Sequence, residues 1–249
     1  MRVVGIIPAR LASTRLPRKL LLDATGKPLI QYTWEAAMSS ELLDDVIIAA
    51  DSQEIANVVT GFGGRCELTG DHPSGTDRIA EVVKRVCPDV DAVVNIQGDE
   101  PEIESNHISQ LVDSLIQSGS EMATLATPIT RRQELDDPSC VKVVCGQDGR
   151  ALYFSRATIP FSHSPWKLHL GLYAYKTDFL LRLTQLPPSP LEKLEKLEQL
   201  RALEAGGRVQ LAIVEHRSVG IDTPEDYAAF VARQMQAPIS DTSSFKRAG

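Results

Sequence analysis

A cluster of basic and hydroxyl side chains follows the first apolar segment of the chain. Residues 3–7 (VVGII) are rich in β-branched side chains and predict a strand buried on both faces, which Pro8 ends because proline has no N–H to donate. The loop after this strand carries the polar residues Arg10, Ser13, Thr14, Arg15, Arg18 and Lys19. These side chains are suited to a phosphate, and open α/β sheets bind ligands outside the carboxyl ends of their strands. The alternative is a solvated basic loop, and the loop contains neither a GxxxxGK[ST] nor a GxGxxG motif.

Two aspartates are candidate ligands for a metal ion at the same edge. Residues 92–97 (AVVNIQ) predict a fourth buried strand, which delivers Asp99 to the edge that carries the basic loop. Asp222 immediately precedes Thr223 and Pro224, a helix start with threonine as cap and proline at the first helical position. Mg²⁺ prefers one or two carboxylates together with substrate oxygens, so Asp99 and Asp222 could share one ion. For Asp99 the alternative is a turn or a helix cap.

A glycine-containing turn follows the third predicted strand. Residues 69–78 (TGDHPSGTDR) predict a turn at 73–75 and then a helix, capped by Thr76 or Asp77, that continues to Val86. Glycine in such a turn allows the backbone to approach a flat ligand closely. The alternative is a turn and a helix cap with no ligand.

The elements that must position these residues alternate along the first half of the chain. Strands at 45–50, 65–68 and 92–97 alternate with helices at 29–38, 53–62 and 104–117, which predicts an α/β fold with a doubly wound, mostly parallel sheet. Beyond Thr130 a β-hairpin at 141–154 predicts an antiparallel excursion. We therefore expect one domain over residues 1–236, with an inserted antiparallel subregion at about 130–175, and a disordered tail at 237–249.

The leucine-rich segment after Ser189 predicts a further helix. Its leucines recur every three residues, at positions 191, 194, 197, 200 and 203, and Ser189 is the expected N-cap. By default its polar residues form a solvated helix face; they are Glu192, Glu195, Glu198 and Gln199.

Composition excludes several classes of function. The chain has 249 residues, of which 43% are hydrophobic, and its formal net charge of −7 does not favour a broad nucleic-acid or anionic-membrane surface. A local basic cluster in an acidic protein points to a small anion instead. The four cysteines include no C-x-x-C pair, which argues against a disulfide framework or a zinc site and favours a reducing cytoplasm. No signal peptide and no membrane span are expected from the sequence.

Three motifs in a fixed order relate the chain to a known family. They are IIPARLASTRLPRK at the first strand, NIQGDEP at the fourth and IDTPED near the end, with SGTDRIAEVV, ALYFSRATIP and LEQLR between them. Over residues 2–235 the sequence resembles the 3-deoxy-D-manno-octulosonate (Kdo) cytidylyltransferase family. The resemblance implies a Rossmann-like nucleotidyltransferase fold and a Mg²⁺-dependent homodimer that uses the antiparallel subregion in dimerisation. It also implies attack of the anomeric hydroxyl of Kdo on the α-phosphate of CTP, for lipopolysaccharide biosynthesis.

The resemblance also assigns roles to individual positions. Arg10, Ser13, Arg15 and Lys19 would bind the triphosphate, and Ser74, Gly75 and Arg78 would bind cytidine. Asp99 and Asp222 would hold Mg²⁺ and, with Arg10, Arg15 and Lys19, form the catalytic set. The implied sugar-acid contacts are Gln97, Arg156, His169, Glu198 and Gln199. From the residues alone, a strand histidine such as His169 is more often a structural residue than a catalyst.

The chain departs from the family pattern at two places. Arg18 stands where the family usually has glycine, and the segment between Pro160 and His169 is short. Two other functions therefore stay open: activation of a related sugar acid, such as an 8-amino Kdo analogue or a nonulosonic acid, and nucleotide binding without turnover.

Overall fold

The fold is built on one mixed sheet, seen in a computed structural model that describes residues 1–162 and 165–236. Within those residues the strands are, in chain order, β1 Val3–Ala9, β2 Asp45–Ala50, β3 Arg65–Leu68, β4 Ala92–Asn95, β5 Met122–Pro128, β6 Lys142–Cys145, β7 Ala151–Ser155, β8 Lys167–Lys176 and β9 Val209–Ile213. The tail predicted at 237–249 lies outside the described residues.

The order of the strands brings the two predicted ligand loops together. The sheet runs β3-β2-β1-β4-β8-β5-β9, and β1 pairs in parallel with both β2 and β4. Val3 lies opposite Ala92 and Ile6 opposite Asn95, so β1 and β4 end side by side at one edge. The basic loop after β1 and Asp99 after β4 therefore leave the sheet at neighbouring points, as the alternation of strands and helices predicts.

The predicted α/β class with a mostly parallel β1–β4 half is confirmed, but β8 occupies a position that the sequence does not indicate. This strand lies within the stretch expected to form an inserted subregion, yet it runs antiparallel between β4 and β5 in the middle of the main sheet. The predicted hairpin of β6 and β7 is present and pairs with the first residues of β8. An antiparallel strand needs no crossover helix, so the pattern of alternating elements cannot reveal where it inserts.

Helices cover both faces of the sheet. Among the described residues they are α1 Leu29–Met38, α2 Gln53–Gly61, α3 Gly75–Val86, α4 Ser105–Ser118, α5 Gln133–Asp136, α6 Thr177–Leu183, α7 Pro190–Glu195, α8 Gln199–Glu204 and α9 Pro224–Gln236. One buried core lies between the sheet and α3, α6 and α8, and a second lies under α1, α2 and α4. None of the helices in the described part combines the length and hydropathy that a membrane-spanning helix needs.

Two predictions about helices are corrected. The cap of α3 is Ser74, whose Oγ accepts a hydrogen bond from the backbone N–H of Asp77 at 3.2 Å, so the helix begins one residue before Thr76. The leucine-rich segment is two short helices, because Lys196 adopts a left-handed conformation (φ 56°) between α7 and α8. A strict three-residue spacing drifts around a single helix, and Leu194 is 79% exposed whereas Leu200 is buried.

A buried lysine stabilises the start of the β6–β7 hairpin. Lys142 has no exposed surface, and its ammonium donates to three backbone carbonyls, those of Asp137 (3.0 Å), Cys140 (2.7 Å) and Arg156 (2.6 Å). These bonds join the loop before β6 to the residue after β7. A buried carbonyl that loses its donor is costly, so the hairpin depends on this side chain.

We expect Lys142→Met to lower the free energy of unfolding by about 2 to 4 kcal/mol, because the substitution keeps the volume but removes three hydrogen bonds to partly buried carbonyls. Urea titration followed by circular dichroism measures the change. Lys84→Met, at an exposed position of α3, is the matched control and should shift stability by less than about 0.5 kcal/mol. Equal losses for the two variants would show that the three carbonyl bonds do not stabilise the hairpin.

Candidate active site

A polar cleft of about 480 Å³ opens at the edge where β1 and β4 end. It brings together eleven of the predicted site residues, namely Arg10, Ser13, Arg15, Lys19, Ser74, Gly75, Arg78, Gln97, Asp99, Glu198 and Asp222. The predicted convergence of the basic loop, the glycine turn and the two aspartates is therefore present in the structure.

One ammonium group joins the two aspartates. The Nζ atom of Lys19 lies 2.6 Å from Oδ2 of Asp99 and 3.0 Å from Oδ1 of Asp222. Arg15 adds a second cation, with its Nη2 atom 3.0 Å from the same oxygen of Asp222. The Lys19 side chain is 11% exposed, so this contact lies in the wall of the cleft and is less screened by water than a surface pair.

The backbone after the basic loop aims Lys19 into the cleft. Arg18 adopts a left-handed conformation (φ 55°), and its carbonyl accepts a hydrogen bond from the N–H of Leu21 at 2.9 Å, closing a short 3-10 turn over Lys19–Leu21. Leu20 is buried under this turn. A left-handed residue is usually glycine, which explains why a glycine is typical at this position.

Arg18 itself points away from the cleft. Its guanidinium pairs with Glu54 in the first turn of α2, and neither side chain lines the cleft. The positive charge of Arg18, at the position where the family pattern has glycine, is thus paired with a carboxylate of α2. Arg18 therefore leaves the surface that faces the ligand unchanged.

The predicted cytidine side of the cleft is a tight turn at the start of α3. An added Cβ at Gly75 would lie 3.2 Å from Cγ of Pro8, so glycine permits close packing of this turn against the end of β1. Arg78 is buried and supports the turn from behind, with its Nη1 atom donating to Oγ1 of Thr69 and to the carbonyl of Gly70.

His72 also lines the cleft, although its sequence context does not single it out as a site residue. Its Nε2 atom lies 2.5 Å from Oε2 of Glu81, and the same carboxylate accepts the N–H of Gly70 at 3.0 Å. The hydrogen bond from His72 is the main cause that lowers the pKa of Glu81. The signal was present in the TGDHPSG segment, but a histidine before a turn does not reveal a partner on the following helix.

Two of the predicted sugar-acid residues lie at the cleft. The Nε2 atom of Gln97 donates to the carbonyl of Gly171 at 3.2 Å. Glu198 accepts a hydrogen bond from Oγ1 of Thr76 at 3.0 Å, and desolvation of its carboxyl group raises its pKa. Thr76 thus connects the first turn of α3 with the start of α8.

The other three lie outside the cleft lining. Arg156 donates to the carbonyls of Pro138 (2.8 Å) and Glu195 (2.8 Å) with its guanidinium, so these bonds would have to exchange before it could bind a carboxylate. Gln199 is buried, and its Nε2 atom has no hydrogen-bond partner among the described residues. The roles of these residues as sugar-acid contacts stay predictions.

His169 lies on β8 opposite Ala126 of β5 and is partly buried. Its Nε2 atom lies 3.0 Å from Oγ1 of Thr124, and its ring packs edge-on against Phe154 at 4.9 Å. Burial lowers the pKa of His169 to about 3, so the ring is neutral near pH 7. A neutral imidazole can donate or accept a hydrogen bond but supplies no positive charge for an acid.

The polar solvated face expected for the leucine-rich segment is wrong for three of its members, Glu192, Glu195 and Gln199, of which Gln199 is buried as described above. Glu192 is buried and pairs with Arg201 at 2.5 Å. Glu195 accepts hydrogen bonds from Oγ of Ser155 (2.7 Å) and from the N–H of Arg156 (2.9 Å). These carboxylates hold α7 against α8 and the end of β7.

The donor set fits a magnesium ion. Asp99 and Asp222 already share one cation, the Lys19 ammonium, and both carry the oxygen ligands that Mg²⁺ prefers. Within residues 1–162 and 165–236 no group of three or more His, Cys, Asp or Glu side chains forms a ready-made metal cage. A magnesium ion bound with a nucleotide is expected to have two carboxylate ligands and to complete its coordination with substrate oxygens.

Comparisons with known proteins agree with the geometry. The family model for cytidylyltransferases matches residues 4–213. The chain is 43% identical over 243 residues to a 3-deoxy-manno-octulosonate cytidylyltransferase of Geobacter sulfurreducens, covering 91% of this chain and 96% of that protein. It is 49% identical over 240 residues to the enzyme of the same name in Syntrophobacter fumaroxidans, covering 93% and 96%. A solved structure of CMP:2-keto-3-deoxy-manno-octonic acid synthetase with CTP matches with a TM-score of 0.91 and 38% identity, covering 95% of this chain and 99% of that one.

The lowered pKa of His169 makes stability depend on pH in a defined direction. Between its folded pKa of about 3 and its usual 6.5, the unfolded chain binds a proton that the folded protein does not. Protonation then favours unfolding, so this contribution to stability falls as the pH drops below about 6.5. The variant His169→Gln has no titrating group at this position and serves as the reference. The unfolding free energy of the unmodified protein minus that of the variant should be about 1 to 2 kcal/mol smaller at pH 5 than at pH 7. Urea titrations of both proteins at the two pH values test this, and a pH-independent difference would show that water reaches the ring.

Proposed function

The chain belongs to the cytidylyltransferase family and, within it, to the 3-deoxy-manno-octulosonate cytidylyltransferases, and on this premise we propose that it transfers the CMP group of CTP to Kdo and releases pyrophosphate. The observation that carries the proposal is the meeting of Asp99, Asp222 and the basic loop in one cleft. Such a site has the cations for a triphosphate and the carboxylates for its metal.

Transfer of a nucleotidyl group depends on charge neutralisation and alignment more than on a protein nucleophile. The hydroxyl of the sugar acid attacks the α-phosphorus, the bond from that phosphorus to the β-phosphate oxygen breaks, and pyrophosphate leaves. Arg10, Arg15 and Lys19 lie where they can bind the phosphate oxygens and stabilise negative charge as it develops. The position of Ser13 in the same loop allows its hydroxyl to donate to the triphosphate.

Asp99 and Asp222 would hold the magnesium ion. When bound there, Mg²⁺ supplies neutralisation of the phosphate charge and lowers the pKa of a nearby hydroxyl. Lys19 contacts both carboxylates, and Arg15 contacts Asp222 as well. The lysine thereby keeps the two negative charges together before the substrate arrives. With a divalent cation on the carboxylates, the ammonium of Lys19 would be available to the triphosphate.

The two substrates are placed on adjoining walls of the cleft. We assign cytidine to the turn at Ser74 and Gly75, supported from behind by Arg78, and the sugar acid to the side of Gln97 and Glu198. Because Thr76 donates to Glu198 from the first turn of α3, one hydrogen bond connects the helix on the nucleotide side with the start of α8 on the sugar side. His169, which is partly buried, and Gln199, which is buried, are proposed to contribute uncharged hydrogen-bonding groups to that side, and Arg156 a cation.

A related sugar acid is the second candidate substrate within the same chemistry. It would differ from Kdo only in contacts made by the region from Arg156 to Gln199. Binding without turnover is disfavoured, because a protein that only binds a nucleotide has no need of two converging metal ligands.

We further propose that the enzyme is a cytoplasmic homodimer that serves lipopolysaccharide biosynthesis. Support for a subunit contact comes from apolar surface in the antiparallel part of the fold: Leu152 on β7 is 63% exposed and Phe161 is fully exposed. Apolar side chains of this size are usual at subunit interfaces. Sedimentation of the purified protein measures the oligomeric state.

We expect Asp99→Asn to reduce pyrophosphate release by at least about a hundredfold, because the variant loses a ligand and half of the shared charge while keeping the shape of the side chain. Circular dichroism and thermal melting should stay unchanged. Asp23→Asn, at an exposed position outside the cleft, is the control and should retain the activity of the unmodified protein. A near-normal rate for Asp99→Asn would remove Asp99 from the metal site.

The substrate itself is tested by incubating the protein with Mg²⁺, each of the four nucleoside triphosphates and a panel of sugar acids. We expect pyrophosphate only from CTP with Kdo. Release with an 8-amino analogue or a nonulosonic acid in preference to Kdo would select the second candidate. No release with any sugar acid would favour the binding-only protein.

A further inference from the structure

The loop that carries Asp222 is tied down along its length. Residues 215–222, here called the strap, connect β9 to α9 without regular secondary structure. At its start, Oγ1 of Thr127 donates to the carbonyl of Glu215 at 3.2 Å, and Arg217 pairs with Glu134 at 2.9 Å. At its end, the buried side chain of Ile221 packs with Leu16, Leu29 and Phe230.

The middle of the strap is held by one side chain that the reaction does not use. The Oγ atom of Ser218 donates to Oε2 of Glu100 at 2.5 Å. Glu100 does not line the cleft, and an added Cβ at Gly220 would lie 4.0 Å from its Cγ atom. Its carboxylate therefore faces the strap and not the substrate.

Glu100 and Asp99 hold the strap at consecutive positions. The N–H of Ile221 donates to the carbonyl of Asp99 at 2.9 Å, while Glu100 takes the hydroxyl of Ser218 three residues earlier. The end of β4 thus provides both the first carboxylate of the cleft and the anchor for the segment that delivers the second. A displacement of the strap at Ser218 would change the distance between Asp222 and Asp99.

We propose that Glu100 is a positioning residue which, through Ser218, holds the strap so that Asp222 reaches the same cation as Asp99. This inference rests on the proposed metal site. The contacts of Ile221 stay in place when Glu100 is removed, so we expect weaker pairing of the two aspartates and not its loss.

A different explanation is that Glu100 only adds negative charge next to Asp99. Two variants of Glu100 distinguish an effect of its negative charge from an effect of its hydrogen bond to Ser218. Glu100→Gln removes the charge but keeps a carbonyl oxygen that can accept from Ser218, whereas Glu100→Ala removes both. Ser218→Ala removes the donor and leaves the charge of Glu100. Glu104→Ala is the matched control, because Glu104 is an exposed acidic residue of the same segment with no contact to the strap.

The experiment measures Mn²⁺ binding to the protein–CTP complex by electron paramagnetic resonance and amide hydrogen exchange of residues 215–222 in the protein without ligands. Loss of a residue that orients a metal ligand typically weakens metal affinity by about tenfold to a hundredfold. We expect a loss of about tenfold and faster exchange for Glu100→Ala and Ser218→Ala, and values within about threefold of the unmodified protein for Glu100→Gln and Glu104→Ala. Glu100→Ala combined with Ser218→Ala should lose little more than either alone, because both break the same bond.

Three outcomes would overturn the proposal. Unchanged exchange in Glu100→Ala would show that Glu100 does not hold the strap. Faster exchange with unchanged Mn²⁺ affinity would show that the strap does not position Asp222, and equal losses in the Gln and Ala variants would assign the effect to charge. If the unmodified protein binds no Mn²⁺ with CTP, the proposed metal site fails, and hydrogen exchange still reports separately whether Glu100 orders the strap.

Discussion

Two carboxylates that face each other in the wall of a cleft repel unless a cation lies between them, and this constraint governs the arrangement of the site. Asp99 and Asp222 are 123 positions apart in the printed sequence, and the ammonium of Lys19 contacts both. The cation that holds them comes from a third segment, the loop after β1. The site is therefore complete only when the end of β1, the end of β4 and the start of α9 meet, and the fold can be understood as the means of bringing those three points together.

The ends of β1 and β4 meet because the two strands are neighbours in the sheet, and the start of α9 is held there by a small separate core. β1 and β4 are neighbouring parallel strands, so their carboxyl ends lie side by side whatever the loops contain. α9 has no such relation to the sheet. It is held by Phe230, which packs with Ile221 just before the helix, with Leu16 inside the basic loop and with Leu29 on α1. Hydrophobic burial beneath that loop thus fixes the helix start from which Asp222 reaches the cleft.

Sequence reasoning predicts the parts of this arrangement that depend on local patterns and misses those that depend on pairing between distant segments. The buried strands, the cap at Thr223 and the basic loop follow from residue type and period, and the structure agrees. Local patterns do not predict that β8 lies between β4 and β5 or that Glu192 pairs with Arg201 in a buried position. Neither the sequence of an antiparallel strand nor an acidic residue on a helix indicates which distant segment it will contact. For the same reason the contact of His72 with Glu81 could not be predicted from the sequence. Resemblance to a family predicts sugar-acid contacts at Glu198 and Gln199, which the pattern alone reads as part of a solvated helix face.

The net charge of the whole protein repels an anionic ligand, whereas the basic side chains of the cleft attract it. A chain with a net charge of −7 repels a triphosphate at a distance, but salt screens charges that lie more than about 10 Å apart at ordinary ionic strength. Within that range the ligand meets Arg10, Arg15 and Lys19, while Arg18 is bound to Glu54 and contributes little. Of these cations, Arg15 and Lys19 are partly neutralised by Asp222 and Asp99. A metal ion on those carboxylates would free both side chains for the phosphate oxygens, so binding of the ion and of the triphosphate should each favour the other.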